Sequence, residues 1–212
     1  MNELKTGLQI YEEEKKRQEE ELKKIKEKIE GKTVMLFGEP MIGKSLFALT
    51  LSKLFDKSIL LLIDRNYPQS FFSINTKLEI QQIDNPKQLD FIVKKIPALN
   101  NQLVIIDSIT SLSTFFLQEA YFSPRAINAF NNFTDKVIRQ LASLTPHTTN
   151  LIIAHEKIKD FETGEVAPRV NKIILRNIDI VLRMFIEDGK RTIKVWQERK
   201  LPSKVEWYFG GE

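Results

Sequence analysis

Short apolar runs alternate with amphipathic segments along most of the chain. The apolar runs are rich in Val, Ile and Leu, the near-continuous pattern of strands that are buried on both faces of a parallel sheet. They predict strands over residues 33–37, 58–64, 78–84, 103–107 and 150–154. Apolar residues at helical spacing follow several of these runs and predict helices over residues 46–55, 86–96 and 123–144. This alternation predicts an α/β fold with a mostly parallel central sheet flanked by helices.

The beginning of the chain has a different character. Residues 12–30 are dominated by Glu and Lys, with few apolar positions at helical spacing. Glu/Lys pairs four residues apart stabilise a solvated helix, so we expect a charged helix whose end packs on the domain. An arm that contacts another protomer is the alternative. The predicted organisation is therefore a charged N-terminal helix over residues 1–30 and one core over residues 31–212.

The last part of the chain predicts antiparallel structure. Apolar residues over 178–186 and 192–196 flank an Asp-Gly pair at 188–189, the turn signal of a β-hairpin. Residues 205–209 predict a last strand, and the polar residues 157–172 predict an irregular loop. The sheet is thus expected to carry a C-terminal antiparallel hairpin.

The sequence GEPMIGKS, at residues 38–45, lies between the first predicted strand and the first predicted helix. It fits G-x-x-x-x-G-K-[ST], the phosphate-binding P-loop, whose glycines let backbone N–H groups face phosphate oxygens at a helix N-terminus. Lys44 would reach the β- and γ-phosphates as a binding and catalytic group, and the Ser45 hydroxyl would ligate Mg²⁺. ATP and Mg²⁺ are the predicted cofactors. The predicted nucleotide-binding residues are Gly38, Glu39, Pro40, Met41, Ile42, Gly43, Lys44, Ser45 and Leu46.

A second acidic motif supports the same site. The apolar run at residues 103–107 ends in Asp107, the Walker B pattern. Parallel strands bring their carboxyl ends to one edge of a sheet, so Asp107 is expected beside Ser45, where it would hold Mg²⁺ or its water. Strands that end in Asp are common, and the pattern gains its meaning from the P-loop that precedes it.

Composition narrows the class of protein. The chain has 212 residues, a net charge of +4 and no cysteine, which excludes disulfides and Cys-ligated metal sites. No apolar run approaches the roughly 20 residues needed to span a bilayer, and the charged N-terminus lacks the apolar core of a signal peptide. We expect a cytoplasmic protein without membrane contact. The excess of positive charge permits an anionic partner.

The order of these elements resembles the RecA-type ATPase core over about residues 31–210. The sequence IIDSITSL at 105–112 is close to the Walker B region of the archaeal RadA and RadB recombinase paralogues, and QERKLP at 197–202 with EWYF at 206–209 resembles the RadB terminus. The segments AHEK at 154–157, GEVAP at 164–168 and IDIVLR at 178–183 resemble instead small phage and viral RecA-like nucleotide-binding proteins, some of which act in single-strand annealing. The resemblance implies a RecA-like P-loop NTPase core without an N-terminal DNA-binding domain.

The catalytic residues implied by this resemblance depart from the family pattern. RecA-type recombinases end their second core strand in Asp-x-Glu, whose Glu activates the attacking water, whereas the matching residues here are Asp64, Arg65 and Asn66. The neutral Asn66 amide can orient water but cannot accept its proton, so slow hydrolysis is expected, with Asp64 or Glu39 as alternative bases. Asp64 serving as a strand-end cap or a Mg²⁺-shell group is equally open. His155 aligns with the γ-phosphate sensor of recombinases, although a structural histidine is the other reading.

Oligomerisation follows less clearly from the resemblance. Recombinases polymerise through a Phe-x-x-Ala plug, which is absent from this sequence, so a ring, a short oligomer or a monomer with another partner all stay open. Basic residues near the terminal strands reach a neighbouring γ-phosphate in this superfamily, and Arg199 and Lys200 are the matching pair. A surface ion pair with a nearby glutamate is the alternative role for them.

Two loops grip single-stranded DNA in RecA-type proteins, and by resemblance they fall here at residues 116–125 and 157–172. Cations that follow phosphates and aromatic faces that stack on bases are what sequence-tolerant binding requires, and both loops supply them. Solvated loop charges, offset by nearby acids, are the alternative. The predicted DNA-binding residues are Arg125, Lys157, Lys159, Phe161, Arg169 and Lys172, with Tyr121 and Phe122 as further aromatics.

Three functions are therefore compatible with the sequence. The first is an ATPase that acts on single-stranded DNA in recombination, repair or viral replication, as an annealing protein or recombination mediator with or without a recombinase or replication partner. The second is an ATP-switched regulator that binds a protein. The third is a small-molecule kinase, which the terminal hairpin and the lack of an obvious Arg-rich lid disfavour.

Overall fold

A computed structural model describes residues 7–64, 67, 73, 75, 77–117 and 123–199. Within these residues a central sheet has the strand order β3-β2-β4-β5-β1-β7-β8, with β6 paired to β5. The strands are β1 (Thr33–Gly38), β2 (Ser58–Leu62), β3 (Leu78–Gln82), β4 (Leu103–Asp107), β5 (Thr149–Ile158), β6 (Val166–Pro168), β7 (Ile180–Glu187) and β8 (Lys190–Glu198). Strands β1 to β5 and β7 pair in parallel, and β7–β8 form an antiparallel hairpin. The predicted fold class is confirmed.

Helices cover both faces of the sheet. They are α1 (Gly7–Ile29), α2 (Lys44–Ser52), α3 (Pro86–Leu99), α4 (Ser113–Leu117) and α5 (Pro124–Ala142), with a 3₁₀ turn at Ile174–Asn177. Asn85 and Ser123 cap α3 and α5 by accepting hydrogen bonds from Gln88 N and Ala126 N, and each helix has Pro at its start, as N-terminal signals predict. No helix in these described ranges is long and apolar enough to cross a membrane.

Alternation along the buried strands divides the core into two clusters. Met35 and Phe37 of β1 pack on one face with apolar residues of α3 and α5. Val34 and Leu36 pack on the other face with α2 and with Ile29 at the end of α1. The middle turns of α1 are exposed over residues 15–21. The last turns of α1 therefore belong to the same core as the P-loop strand, while the division of the chain at residue 30 stays a prediction.

The segment expected to be irregular is partly ordered. Residues of β5 continue past the sheet to Ile158 and pair antiparallel with β6, with Lys157 opposite Ala167. The turn between them is held by Asp160, whose Oδ1 accepts from Glu162 N and Thr163 N. The prediction was wrong for β5 and β6 because this hairpin is mostly exposed and therefore lacks the alternation that marks a half-buried strand. The strand predicted over residues 205–209 lies outside the described residues.

Candidate functional site

The candidate site lies where the carboxyl ends of the parallel strands meet. Gly38 ends β1 and is paired with His155 of β5, while Leu62 of β2 is paired with Asp107 at the end of β4. Asp64 follows β2 directly. Ligands of open α/β sheets bind at this edge, next to the point where the strand order reverses. The sheet therefore brings the P-loop, Asp64, Asp107 and His155 to a single edge.

The backbone between β1 and α2 has the curvature of a phosphate cradle. A Cβ on Gly38 would lie 2.3 Å from the Met184 carbonyl oxygen, so no larger residue fits there without movement. Gly43 has φ 106° and forms the N-cap of α2, a conformation that favours glycine. Ile42 is buried in the core, whereas Met41 is fully exposed with φ 62°. The loop thus leaves the N-terminus of α2 open to an anion.

Lys44 is folded back onto its own loop. Its side chain is 5% exposed, and Nζ donates to the carbonyl oxygens of Gly38 at 2.9 Å and Glu39 at 2.5 Å. Burial lowers the pKa of Lys44, while the carboxylates of Asp107, Glu156 and Glu39 act in the opposite direction. An ammonium group so poorly solvated is poised to exchange backbone carbonyls for phosphate oxygens.

The two predicted Mg²⁺ ligands are joined through a tyrosine. Tyr67 Oη lies 3.0 Å from Ser45 Oγ and donates to Asp107 Oδ2 at 2.8 Å. Asp107 is 3% exposed, and burial raises the pKa of its carboxyl while hydrogen bonds from Ser45 and Tyr67 oppose the rise. A hydroxyl and a carboxylate are oxygen ligands of the kind Mg²⁺ prefers, so the pair fits the metal. A single tyrosine in a loop belongs to no sequence motif, so the sequence analysis did not assign Tyr67 to the site.

Replacing Tyr67 by Phe is expected to strengthen Mg²⁺-dependent nucleotide binding. The phenol makes hydrogen bonds with both groups that would hold the metal, and those contacts compete with Mg²⁺. Their loss should tighten ATP binding in Mg²⁺ by about two- to tenfold, the size of one net hydrogen bond. Affinity in EDTA should stay the same. Calorimetric titration with ATP in both conditions measures the effect, and weaker binding in Mg²⁺ would show that the hydroxyl assists the metal ligands.

Three further side chains surround Lys44 and Asp107. His155 is half-buried, and burial and the charge of Lys44 lower its pKa, so the imidazole is neutral at pH 7. Asp64 Oδ2 accepts from Ser108 Oγ at 3.5 Å, and its charge acts on His155 and on Asp107. The charge of Glu156 partly offsets the lowering of the Lys44 pKa, so a carboxylate that the sequence analysis had not assigned lies near this lysine. Its Oε2 lies 3.4 Å from Nε of Arg183.

The other predicted catalytic candidates occupy different positions. Glu39 has an exposed side chain, and its carbonyl oxygen is the group that Lys44 contacts. Asn66 lies outside the described residues, so its place relative to Asp107 stays a prediction. Leu46, in the first turn of α2, is exposed beside the P-loop, as is Pro40 within it.

Of the basic pair predicted to act between subunits, the structure describes only Arg199. Arg199 Nη1 donates to the Arg176 carbonyl oxygen at 3.2 Å, and Arg199 N donates to the Asp179 carbonyl oxygen. Asp179 Oδ2 in turn accepts from Thr33 N at the start of β1. Arg199 therefore lies at the edge of the sheet opposite the P-loop of its own subunit, and a role in a neighbouring subunit stays a prediction. Lys200 lies outside the described residues.

The predicted DNA-binding residues fall into two groups. Lys157 and Arg169 line a cavity of about 380 Å³ together with Phe130 and Asn131 of α5. The remaining candidates do not line it: Arg125 is exposed in the first turn of α5, Lys172 is exposed, and Lys159 Nζ is paired with Glu165 Oε1 at 2.6 Å. Phe161 is 87% exposed at the tip of the β5–β6 hairpin. Tyr121 and Phe122 lie outside the described residues.

Comparison with known proteins supports the nucleotide half of this picture. A family model described as an AAA domain matches residues 30–206, a span that runs from the end of α1 through the β7–β8 hairpin. No curated protein matches the chain.

Proposed function

The chain belongs to the AAA domain family of P-loop ATPases, and from this premise we propose that it is a slow, Mg²⁺-dependent ATPase that binds single-stranded DNA. In this proposal the core is of the RecA type, and the protein acts in recombination, repair or viral replication by annealing strands or assisting a recombinase. DNA binding is proposed because Lys157, Arg169 and Phe130 line one cavity. Arg169 N donates to the carbonyl oxygen of His155, a residue of the nucleotide site, so the cavity and that site are in contact.

The nucleotide half assigns each residue a separate task. The N–H groups of residues 38–45 cradle the phosphates, and Lys44 exchanges its contacts with Gly38 and Glu39 for phosphate oxygens. Ser45 and Asp107 would hold Mg²⁺, which would neutralise charge on those oxygens. Asp64 accepts the proton of the attacking water, and neutral His155 donates to the γ-phosphate. RecA-type recombinases use a glutamate to activate the water. The carboxylate of Asp64 and the amide of Asn66, in place of that glutamate, would account for slow turnover.

The DNA half rests on charge and an aromatic face in one place. Two cations and the Phe130 ring meet at the cavity between α5 and the β5–β6 hairpin. Lysine and arginine neutralise phosphates, and an aromatic ring offers a face to an unstacked base, with little dependence on sequence. The cavity thus combines both kinds of contact that single-strand binding uses.

Hydrogen bonds of His155 connect the nucleotide site with the proposed DNA-binding cavity. His155 N donates to Thr110 Oγ1 at 3.0 Å, and Arg169 N donates to the His155 carbonyl oxygen at 2.7 Å. Thr110 and Arg169 both line the cavity. A shift of His155 towards a γ-phosphate would therefore move two cavity residues, which supplies a route by which ATP could alter DNA affinity.

A second candidate function is an ATP-switched protein that binds a protein partner. It is favoured by the tip of the β5–β6 hairpin, where Ile158 is 52% and Phe161 is 87% exposed. Adjacent exposed apolar side chains on a projecting element are typical of a protein-docking surface. Under this alternative Lys157 and Arg169 would have no effect on DNA.

Salt-dependent DNA binding by alanine variants tests the proposal. Affinity for a single-stranded oligonucleotide with ATP and Mg²⁺ should fall with salt, with a log–log slope of about −0.7 per phosphate contact. Arg169→Ala and Lys157→Ala should each make the slope shallower by somewhat less than one unit, whatever the base sequence. Phe161→Ala should weaken binding without changing the slope. Fluorescence anisotropy at several salt concentrations gives both quantities.

Lys95→Ala is the matched control for these variants. Lys95 is an exposed lysine of α3 whose Nζ lies over the ring of Phe91, and it does not line the cavity. It should leave both affinity and slope unchanged. If DNA does not bind in the presence of ATP and Mg²⁺, or if none of the cavity variants differs from Lys95→Ala, the protein-partner function replaces the DNA function.

A further inference from the structure

The β7–β8 hairpin packs directly against the P-loop. Ile186 is paired with Arg191 next to a tight turn in which Asp188 and Gly189 both have positive φ, the geometry of a two-residue hairpin loop. The Met184 carbonyl oxygen abuts Gly38, where even a Cβ would lie 2.3 Å away. The first glycine of the motif therefore accommodates the hairpin, and the hairpin has a fixed position relative to the phosphate cradle.

Arg191 lies against the second glycine of the motif. A Cβ on Gly43 would lie 3.2 Å from Nε and 3.4 Å from Cζ of Arg191. Gly43 immediately precedes Lys44 and caps α2, the helix whose first N–H groups are free for an anion. The guanidinium is thus held beside the part of the loop that would contact the phosphate chain.

The Arg191 guanidinium has unused hydrogen-bonding capacity. Its residue is exposed, and within the part of the chain that the structure describes its side chain makes no hydrogen bond or ion pair. Other basic residues of the hairpin do: Lys194 pairs with Glu187 at 2.8 Å, and Arg183 with Glu156 at 3.4 Å. A guanidinium carries five donors in a planar fork that matches phosphate oxygens. Among the described residues, Arg191 is therefore an unpaired cation of the hairpin that already lies against the P-loop.

The strand order decides which end of the nucleotide Arg191 would meet. Asp107 and His155 belong to β4 and β5, on one side of β1, whereas the β7–β8 hairpin lies on the other side. In the proposed function Asp107 holds the metal and His155 contacts the γ-phosphate, so these two residues would mark the γ-phosphate end. Arg191 approaches the cradle from the opposite flank, where the α- and β-phosphates would then lie.

We propose that Arg191 binds the α- and β-phosphates of the nucleotide held by its own subunit. This inference rests on the proposed nucleotide binding at the P-loop and adds to it a ligand from the hairpin. It also gives Arg191 and Arg199 different roles, because Arg199 lies at the far edge of the sheet, where it is hydrogen-bonded to Arg176 and Asp179. The hairpin thus supplies charge to the site in cis.

Nucleotide titrations of Arg191 variants test the proposal. Arg191→Ala should lower the affinities for ADP and ATP by the same factor, roughly tenfold, as expected for the loss of one charge-assisted hydrogen bond. Arg191→Lys should recover part of the loss, because a lysine keeps the charge without the fork. Lys190→Ala, the adjacent exposed residue of the hairpin, should bind both nucleotides as the parent protein does. Thermal melting without nucleotide confirms that each variant is folded.

The outcomes separate this inference from the function on which it rests. If Arg191→Ala weakens ATP alone, or neither nucleotide, the assignment to the α- and β-phosphates is overturned. When Lys44→Ala abolishes binding in the same assay, the proposed nucleotide site stands whatever Arg191 does. If Lys44→Ala also binds normally, the P-loop site itself fails.

A mixing experiment tests whether the residue acts within one subunit. Lys44→Ala protein retains Arg191 but has a defective P-loop, and Arg191→Ala protein has the reverse. If Arg191 acts in cis, the binding curve of a mixture should equal the sum of the binding curves of the two variants measured separately. Recovery of tight binding in the mixture would show that Arg191 reaches a neighbouring P-loop, and would overturn the assignment to its own subunit.

Discussion

Lys44→Ala is expected to lower ATP affinity by roughly 10²-fold, the loss of about 3 kcal/mol of charge-assisted hydrogen bonding to the β- and γ-phosphates. The fold should be unharmed, because among the described residues Nζ bonds only to the carbonyl oxygens of Gly38 and Glu39 in its own loop. Burial lowers the pKa of Lys44, so the folded loop disfavours its charge relative to water. Removing that charge should leave the melting temperature without nucleotide unchanged or raise it.

Thermal melting with and without ATP measures both parts of this prediction. The parent protein should gain stability as ATP is added, by the linkage between ligand binding and folding, and Lys44→Ala should lose that gain. Lys53→Ala is the control, since Lys53 is an exposed lysine at the other end of the same helix, as its C-cap. A folded Lys44→Ala protein with undiminished ATP affinity would exclude the P-loop as the nucleotide site.

The nucleotide-binding core could be predicted because its signals are local. A buried parallel strand is a near-continuous apolar run, and this is how β1 and β4 read, the latter with the predicted bounds Leu103–Asp107. The P-loop adds a fixed spacing of Gly, Lys and Ser between strand and helix. Strand, loop and helix therefore follow from a few consecutive residues each, and the alternation of such units gives the fold class.

The residues that complete the site could not be predicted because their contacts span large distances in sequence. Tyr67 reaches Asp107 across a separation of 40 residues, and Arg191 meets Gly43 through packing between a hairpin and a loop. Nothing in the local pattern of either residue marks it. Arg199 is a different case: the resemblance predicts that it reaches the γ-phosphate of a neighbouring subunit, and the strand register places it at the sheet edge opposite the P-loop of its own subunit. Its role between subunits stays a prediction.

The identity of the water-activating base gives the last large effect. Asp64→Asn is expected to lower the hydrolysis rate by about 10²–10⁴-fold, the usual contribution of a well-placed general base. Asp64 follows β2, lies 3.5 Å from Ser108 Oγ next to the Walker B aspartate, and its charge acts on Asp107, Tyr67 and His155. ATP affinity should be retained, because Asp64 is assigned to the water and not to the phosphates.

Glu39→Gln is the matched carboxylate-to-amide control. The Glu39 side chain is exposed, and its effect on the Lys44 pKa is smaller than those of Asp107 and Glu156. Its neutralisation should therefore change turnover little. Single-turnover hydrolysis together with nucleotide binding separates loss of chemistry from loss of affinity. If Glu39→Gln abolishes turnover while Asp64→Asn hydrolyses ATP at the parent rate, the base is Glu39. If neither variant slows hydrolysis, Asn66 must orient a water that loses its proton elsewhere, and Asn66→Asp should then raise the rate by restoring a carboxylate at that position.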